Sequence, residues 1–288
     1  MKLALGTVQF GLDYGIANQT GMVSIDEAGR ILLAASNHNI DTLDTAIAYG
    51  ESETRLGEIG VNEFKVISKL PSVPDDCKDI SDWVRTSVAA SLSRLKLNKL
   101  YGLLLHRPAQ LLQSYGDEYY AALLKLQDDG LVQNLGLSIY EPAELDMIPD
   151  KYSYQIVQGP FNILDERMIK SGWLNKLADS GVEFHARSIF LQGLLLMSKD
   201  KRPAKFDRWN KLWALWDNWL LDMDTDPVAA CVSYAVSHTE VTKVVVGVNT
   251  ALQLEEIITA ADTDVAGLPI NMTTNDIDLI NPARWSAL

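Results

Sequence analysis

Four side chains of the sequence have the types needed for a proton relay, and each follows an apolar run that reads as a β-strand. Asp44 closes "IDTLD", Lys69 falls at the end of "FKVISKL", and His106 ends "YGLLLH". Tyr49 stands in the loop after Asp44. A phenol, with its pKa near ~10, is a weak acid at neutral pH and needs help to protonate an alkoxide forming from a carbonyl. A neighbouring ammonium stabilises the phenolate, and a carboxylate beyond it keeps that ammonium charged and fixed in place. Asp44, Lys69 and Tyr49 supply that chain, and His106 can donate to the carbonyl oxygen. The chemistry is addition of hydride to C=O, with the hydride coming from a cofactor. Taken singly, each residue has an ordinary reading: a turn aspartate, a packed tyrosine, a solvated lysine, a satisfied histidine. Three successive strand ends that each supply a reactive type shift the balance towards a site.

Such a set needs a frame that brings strand ends together. Eight strand-like runs lie at 3–8, 40–46, 64–70, 101–106, 134–138, 154–159, 182–188 and 243–248. Helix-like stretches lie between them at Ser24–Ser36, Ser52–Ile59, Asp79–Lys96, Tyr115–Asp129, Glu141–Met147, Arg167–Asp179, Asp226–Ser237 and Thr250–Ala260. Apolar residues at helical spacing, for instance Trp83, Val84, Val88, Leu92 and Leu95, support these assignments. Alternating strands and helices point to a parallel sheet, and near-continuous apolar strands imply burial on both faces. The expected fold is α/β, a (β/α)8 TIM barrel in a single domain over 1–288, with an open doubly wound sheet as the alternative. In a barrel the C-terminal strand ends form the active-site rim, where Asp44, Tyr49, Lys69 and His106 would converge.

Composition narrows the partners. With 288 residues and 47% hydrophobic content the chain reads as globular, and its net charge of −13 disfavours nucleic acid or an anionic membrane surface as a partner. No apolar run approaches membrane-spanning length. Cys77 and Cys231 lack metal-ligand spacing, so no metal site is expected, and two distant cysteines with no signal-peptide pattern fit a cytoplasmic protein.

The blocks "DTAIAYGESETRLG" (44–57), "SKL" (68–70), "LLLH" (103–106), "GLS" (136–138), "VQGPFNILDER" (157–167) and "FLQGLL" (190–195) together resemble the signature blocks of the aldo-keto reductases, in order and across nearly the whole chain. The resemblance makes Asp44, Tyr49, Lys69 and His106 a catalytic tetrad. It implies NADP(H) or NAD(H) lying across the barrel mouth without a Rossmann domain, and no G-x-G-x-x-G fingerprint is present. By position, Ser138 and Gln158 would hold the nicotinamide carboxamide and Phe190 would stack on its ring. Gly247, Asn249, Gln253 and Glu256 would hold the adenosine end, with backbone N–H groups at the last helix start suited to an anion. Two departures from the family pattern stand out. Ile139 follows Ser138 where asparagine is usual, and "VNTALQ" after Gly247 lacks the cation that NADPH-preferring members use for the 2′-phosphate.

The implied activity is interconversion of a small-molecule carbonyl, an aldehyde, ketone or sugar derivative, with its alcohol. Two other functions fit the same fold: a lyase or aldolase using Lys69 as a Schiff base, and a nucleotide sensor with little turnover. Arg107, directly after His106, has two readings: a surface arginine paired with an acid, or a substrate-binding group for an anion. The segment 191–226 is an insertion with Trp209, Trp213, Trp216 and Trp219 at roughly helical spacing. It reads as a helix packed on the barrel or, less simply, as a lid or subunit contact.

Overall fold

The computed structural model describes residues 1–18, 20–263, 265 and 272–288. Among them eight parallel strands close into a barrel in sequence order, β8 pairing back onto β1. The strands are β1 (Leu3–Gly6), β2 (Thr42–Asp44), β3 (Lys65–Leu70), β4 (Leu100–Leu105), β5 (Val132–Ser138), β6 (Ile156–Pro160), β7 (Glu183–Arg187) and β8 (Val241–Gly247). The helices are α1 (Ile25–Asn37), α2 (Ser52–Ile59), α3 (Ile80–Leu95), α4 (Gly116–Asp128), α5 (Ala143–Met147), α6 (Arg167–Lys170), α7 (Trp173–Asp179), α8 (Asn210–Asp222), α9 (Pro227–Ser237), α10 (Ala251–Ala261) and α11 (Ile277–Ile280). The closed barrel is the expected one, and the open sheet is excluded.

Local sequence explains most boundaries. Ser24, Asp79, Asp226 and Thr250 cap α1, α3, α9 and α10 by accepting a backbone N–H three residues on, and Pro227 begins α9 where its missing donor costs nothing. The stretch expected as one helix over Arg167–Asp179 is two, α6 and α7, because Gly172 between them takes φ +79°. Strand β1 stops at Gly6, short of the expected Val8, because Thr7 turns inward: its N–H and Oγ1 both donate to the Asp44 carbonyl, and a 3-10 turn over Val8–Phe10 follows.

Inside the barrel Ile67, Leu104 and Ile156 form one apolar layer over Tyr101. Gly136 makes room for it, since a Cβ there would lie 2.4 Å from Leu104 and 2.5 Å from the Ile156 carbonyl oxygen. At the strand starts Glu183 takes a hydrogen bond from Tyr101 and pairs with His185. Polar groups at the opposite ends of β2 to β7 are therefore left to face the rim.

The segment 191–226 contributes to the core. Trp213 and Trp216 are buried, their indole N–H groups donate to the carbonyls of Phe206 and Leu195, and Arg202 pairs with Asp217 while lying over Trp213. None of the four tryptophans lines the cavity described below. Among the described residues no helix is long and apolar enough to cross a membrane.

Candidate active site

The rim encloses a cavity of about 460 Å³, within the range of small-molecule sites. Asp44, Tyr49, Lys69 and His106 all line it. Lys69, buried, donates to both Asp44 oxygens at 2.6 Å and to the Thr45 carbonyl at 3.0 Å. Burial pulls the Lys69 ammonium down, but the Asp44 carboxylate and then Tyr49 outweigh it, and the group is held above its ordinary value. Its Nζ lies 5.1 Å from the centroid of the Tyr49 ring, and the His106 ring meets the same phenol edge to face at 6.2 Å between centroids. His106 is pushed down to about 4, first by burial and then by the Lys69 charge, and is neutral at pH 7.

Close backbone contact fixes the phenol. Gly50 has φ +54°, and a Cβ on it would meet the Gly11 carbonyl oxygen at 2.4 Å; a Cβ on Gly11 would meet the Tyr49 carbonyl oxygen at 1.9 Å. The two loops touch backbone to backbone, which only glycine at both positions permits. Below them Ser52 ties α2 to the turn after β1 through the Thr7 carbonyl at 2.9 Å.

The residues expected around a cofactor, Ser138, Gln158, Phe190, Gly247, Asn249, Gln253 and Glu256, are all in the cavity lining. Gln158 also donates its Nε2 hydrogen to Asp44 at 2.7 Å. Gln9 lies so close to Gly247 that a Cβ there would be 2.5 Å from its Nε2. Two acceptors of the lining, Gln9 Oε1 and Asn249 Oδ1, are buried and have no hydrogen-bond partner among the described residues. At the start of α10 several backbone N–H groups are already taken by side chains. Asn249 N–H donates to Gln253 at 2.8 Å, Ala251 N–H to Glu27 at 2.7 Å, and Gln253 N–H to Thr250 at 3.2 Å.

Arg107 is exposed and does not line the cavity; its guanidinium lies 5.3 Å from the Tyr140 ring centroid, and no acid pairs with it among the described residues. The lining arginine is Arg187, at the end of β7. Tyr14, Tyr140 and Gln192 also line the site, Gln192 donating to the Tyr14 hydroxyl at 3.0 Å. Applied to "VEFHARS", the strand-end rule that found Lys69 and His106 would have found Arg187. Tyr14 and Gln192 leave no such signal, because loop packing brings them in. Among the described residues no cluster of three or more His, Cys, Asp or Glu could hold a metal.

Residues 2–266 match the model of the aldo/keto reductase family. The chain belongs to the aldo/keto reductase family. As a member it is an oxidoreductase acting between carbonyls and alcohols. It is 29% identical to a D-threo-aldose 1-dehydrogenase of a Pseudomonas species, over 88% of this chain and 89% of that one. It is 27% identical to the oxidoreductase sirO of Leptosphaeria maculans, over 72% of this chain and 65% of that one. Its fold matches that of an aldo-keto reductase from Bacillus halodurans in holo form, at TM-score 0.72 and 19% identity over 92% and 88% of the chains. It also matches a glycerol dehydrogenase from Gluconobacter oxydans, at TM-score 0.70 and 23% identity over 94% and 88%.

Proposed function

We propose that this aldo/keto reductase is an NAD(P)-dependent enzyme of the cytoplasm that interconverts the carbonyl of an aldehyde, ketone or sugar with its alcohol, Tyr49 being the proton donor. The observation that carries the reading is the Lys69 ammonium, clasped by both oxygens of Asp44 and set against the Tyr49 ring. Tyr49 gives its proton to the carbonyl oxygen as reduction proceeds, and the Lys69 charge stabilises the phenolate left behind. Neutral His106 donates to the same oxygen and aligns it. Asp44 keeps Lys69 charged, and Gln158 keeps Asp44 in place.

The residues present fit a nicotinamide nucleotide. The acceptors Gln9 Oε1 and Asn249 Oδ1, unpartnered among the described residues, suit carboxamide N–H or ribose O–H donors, and the absent side chain of Gly247 is what lets the Gln9 amide lie there. Ser138, Gln158 and Phe190 would hold the nicotinamide end, and Asn249, Gln253 and Glu256 the adenosine end. Bound there, the nicotinamide supplies or accepts the hydride.

A Schiff-base role for Lys69 is disfavoured, because a buried ammonium held charged by a carboxylate is a poor nucleophile. Titrating NADH and NADPH against tryptophan fluorescence, then following nicotinamide absorbance with aldoses, aldehydes and ketones, tests the reading. Saturable binding with turnover of at least one carbonyl class is expected. Binding without turnover of any of them would instead support a sensor.

A further inference from the structure

Arg187 ends β7 inside the cavity wall, donating to the Ile139 carbonyl at 2.8 Å and the Ser188 hydroxyl at 3.3 Å. Its guanidinium lies 4.9 Å from the centroid of the Tyr140 ring, the same ring that Arg107 approaches from the rim at 5.3 Å. Of the ten arginines in the sequence, eight form ion pairs with carboxylates among the described residues. The two that form none there are Arg107 and Arg187. In a chain with 38 acidic residues, two guanidiniums that share one ring and pair with no carboxylate among the described residues call for a reason, since like charges repel.

The balance of charge in the cavity supplies one. Asp44 is matched by Lys69, and His106 is neutral, so neither offsets Arg187. Glu256, the remaining carboxylate of the lining, stands on α10 beyond β8. The cavity that Tyr49 and His106 line is left with an unmatched positive charge at Arg187, and both guanidiniums are near enough to add, as minor causes, to the lowering at His106. A fork of N–H donors in a partly enclosed site suits a planar carboxylate or a phosphate.

We propose that Arg187, assisted by Arg107 across Tyr140, binds the anionic group of the substrate, a carboxylate or phosphate carried by a sugar-like carbonyl compound whose C=O meets Tyr49 and His106. This inference rests on the oxidoreductase reading for the C=O placement, but the anion subsite can be tested by binding alone. Calorimetry on the protein saturated with its preferred nicotinamide cofactor compares sugars with and without an anionic group at the terminal carbon: D-glucose, D-glucuronate and D-glucose 6-phosphate, and D-arabinose with its 5-phosphate. The wild type should bind at least one anionic sugar roughly ten- to hundred-fold more tightly than its neutral partner, with the preference fading as salt rises. Whether uronate or phosphate is the tighter ligand identifies the source of the charge.

Arg187→Gln removes the charge while keeping a donor for the Ile139 carbonyl, and should abolish most of that preference. Arg187→Lys should restore part of it, and Arg107→Gln should lower it by a smaller factor. The remote surface change Arg85→Ala should leave it intact. Equal or absent binding of charged and neutral sugars by the wild type overturns the proposal, as does a preference that survives in Arg187→Gln. If Arg187→Gln instead weakens NADH binding and leaves the sugar preference untouched, the arginine serves the cofactor and the proposal is wrong. A wild type that prefers the anions yet turns over no carbonyl keeps the subsite and removes the oxidoreductase reading, so the two failures are separable.

Discussion

Gln158, on β6, donates a hydrogen bond of 2.7 Å to Asp44, on β2, across the mouth of the barrel. The carboxylate can only accept, so the amide nitrogen of Gln158 must face it. Together with two contacts from Lys69 this leaves Asp44 held from two sides of the barrel. The acid and ammonium are therefore fixed in place before substrate arrives, which is the condition for electrostatic help to Tyr49 without reorganisation.

Tyr49→Phe should lower turnover by roughly 10²–10⁴ while cofactor affinity stays within about threefold, because it deletes one positioned proton and no wall of the site. Lys69→Met should lose activity too, with an added fall in thermal stability, since it strands the buried Asp44 carboxylate. Steady-state kinetics on a good carbonyl substrate, with fluorescence titration of the cofactor, checks both. A Tyr49→Phe enzyme of near wild-type rate would remove the phenol from the mechanism.

The His106 imidazole should titrate near pH 4 in the folded protein, below the 6.5 of an unperturbed histidine. Between those values the unfolded chain takes up a proton that the folded one does not, so this group makes stability rise with pH across about 4 to 6.5 and adds nothing above. The neutral ring should persist to mildly acidic pH, and the reductive rate should show no inflection near 6.5 from this residue. Proton NMR of the His106 ring against pH reads the midpoint directly; a midpoint at 6.5 or higher would contradict the burial argument.

The barrel, its strand order and the residues at the ends of β2, β3 and β4 were legible because buried parallel strands write unbroken apolar runs, and a charged residue that ends one stands out. What was not legible depends on neighbours remote in sequence. Ala251 N–H goes to Glu27, on α1, so a helix start that looks like an anion site is largely closed. Gly172 reads as an ordinary break or as nothing until its φ is known. The contrast between Arg107 and Arg187 is a matter of place: Arg187 is the last residue of β7 and was open to the strand-end rule, whereas Arg107 lies two residues past the end of β4, in the loop beyond.

NADH should be used at least as well as NADPH. From Val248 to Asp262 the chain carries no lysine or arginine, and the carboxylates of Glu256, in the lining, and Glu27, held ionised by the Ala251 N–H and Arg30, lie about the expected adenosine end. A charge-assisted contact to a 2′-phosphate is worth about 1.5–3 kcal/mol, and its absence removes one to two decades of NADPH preference. Dissociation constants for the two cofactors at low and physiological salt check this. Glu256→Lys should shift the ratio towards NADPH; a wild type that already favours NADPH by a hundredfold would show that a cation elsewhere reaches the phosphate.

Glu53 shows how the frame beneath the site can be tested apart from its chemistry. Its carboxylate is buried, with Ser68 and Ser91 each donating to Oε1 at 2.6 Å and Arg94 donating twice to Oε2, at 2.9 and 2.7 Å. One side chain thus ties α2, which follows the Tyr49 loop, to β3 beside Lys69 and to α3. Glu53→Ala leaves two buried hydroxyls and a guanidinium without their acceptor, and should destabilise the protein by about 3–5 kcal/mol. Glu53→Gln should also be costly, because its amide N–H₂ must face one of those donors. Arg94→Ala should cost less, since that side chain is a third exposed and Glu53 keeps both serine contacts. Urea midpoints for the three variants, set beside the exposed control Arg85→Ala, should rank them in that order. If Glu53→Ala unfolds within about 1 kcal/mol of the control, the cluster contributes little and the Tyr49 loop is held by the Gly11–Gly50 contact and Ser52 alone.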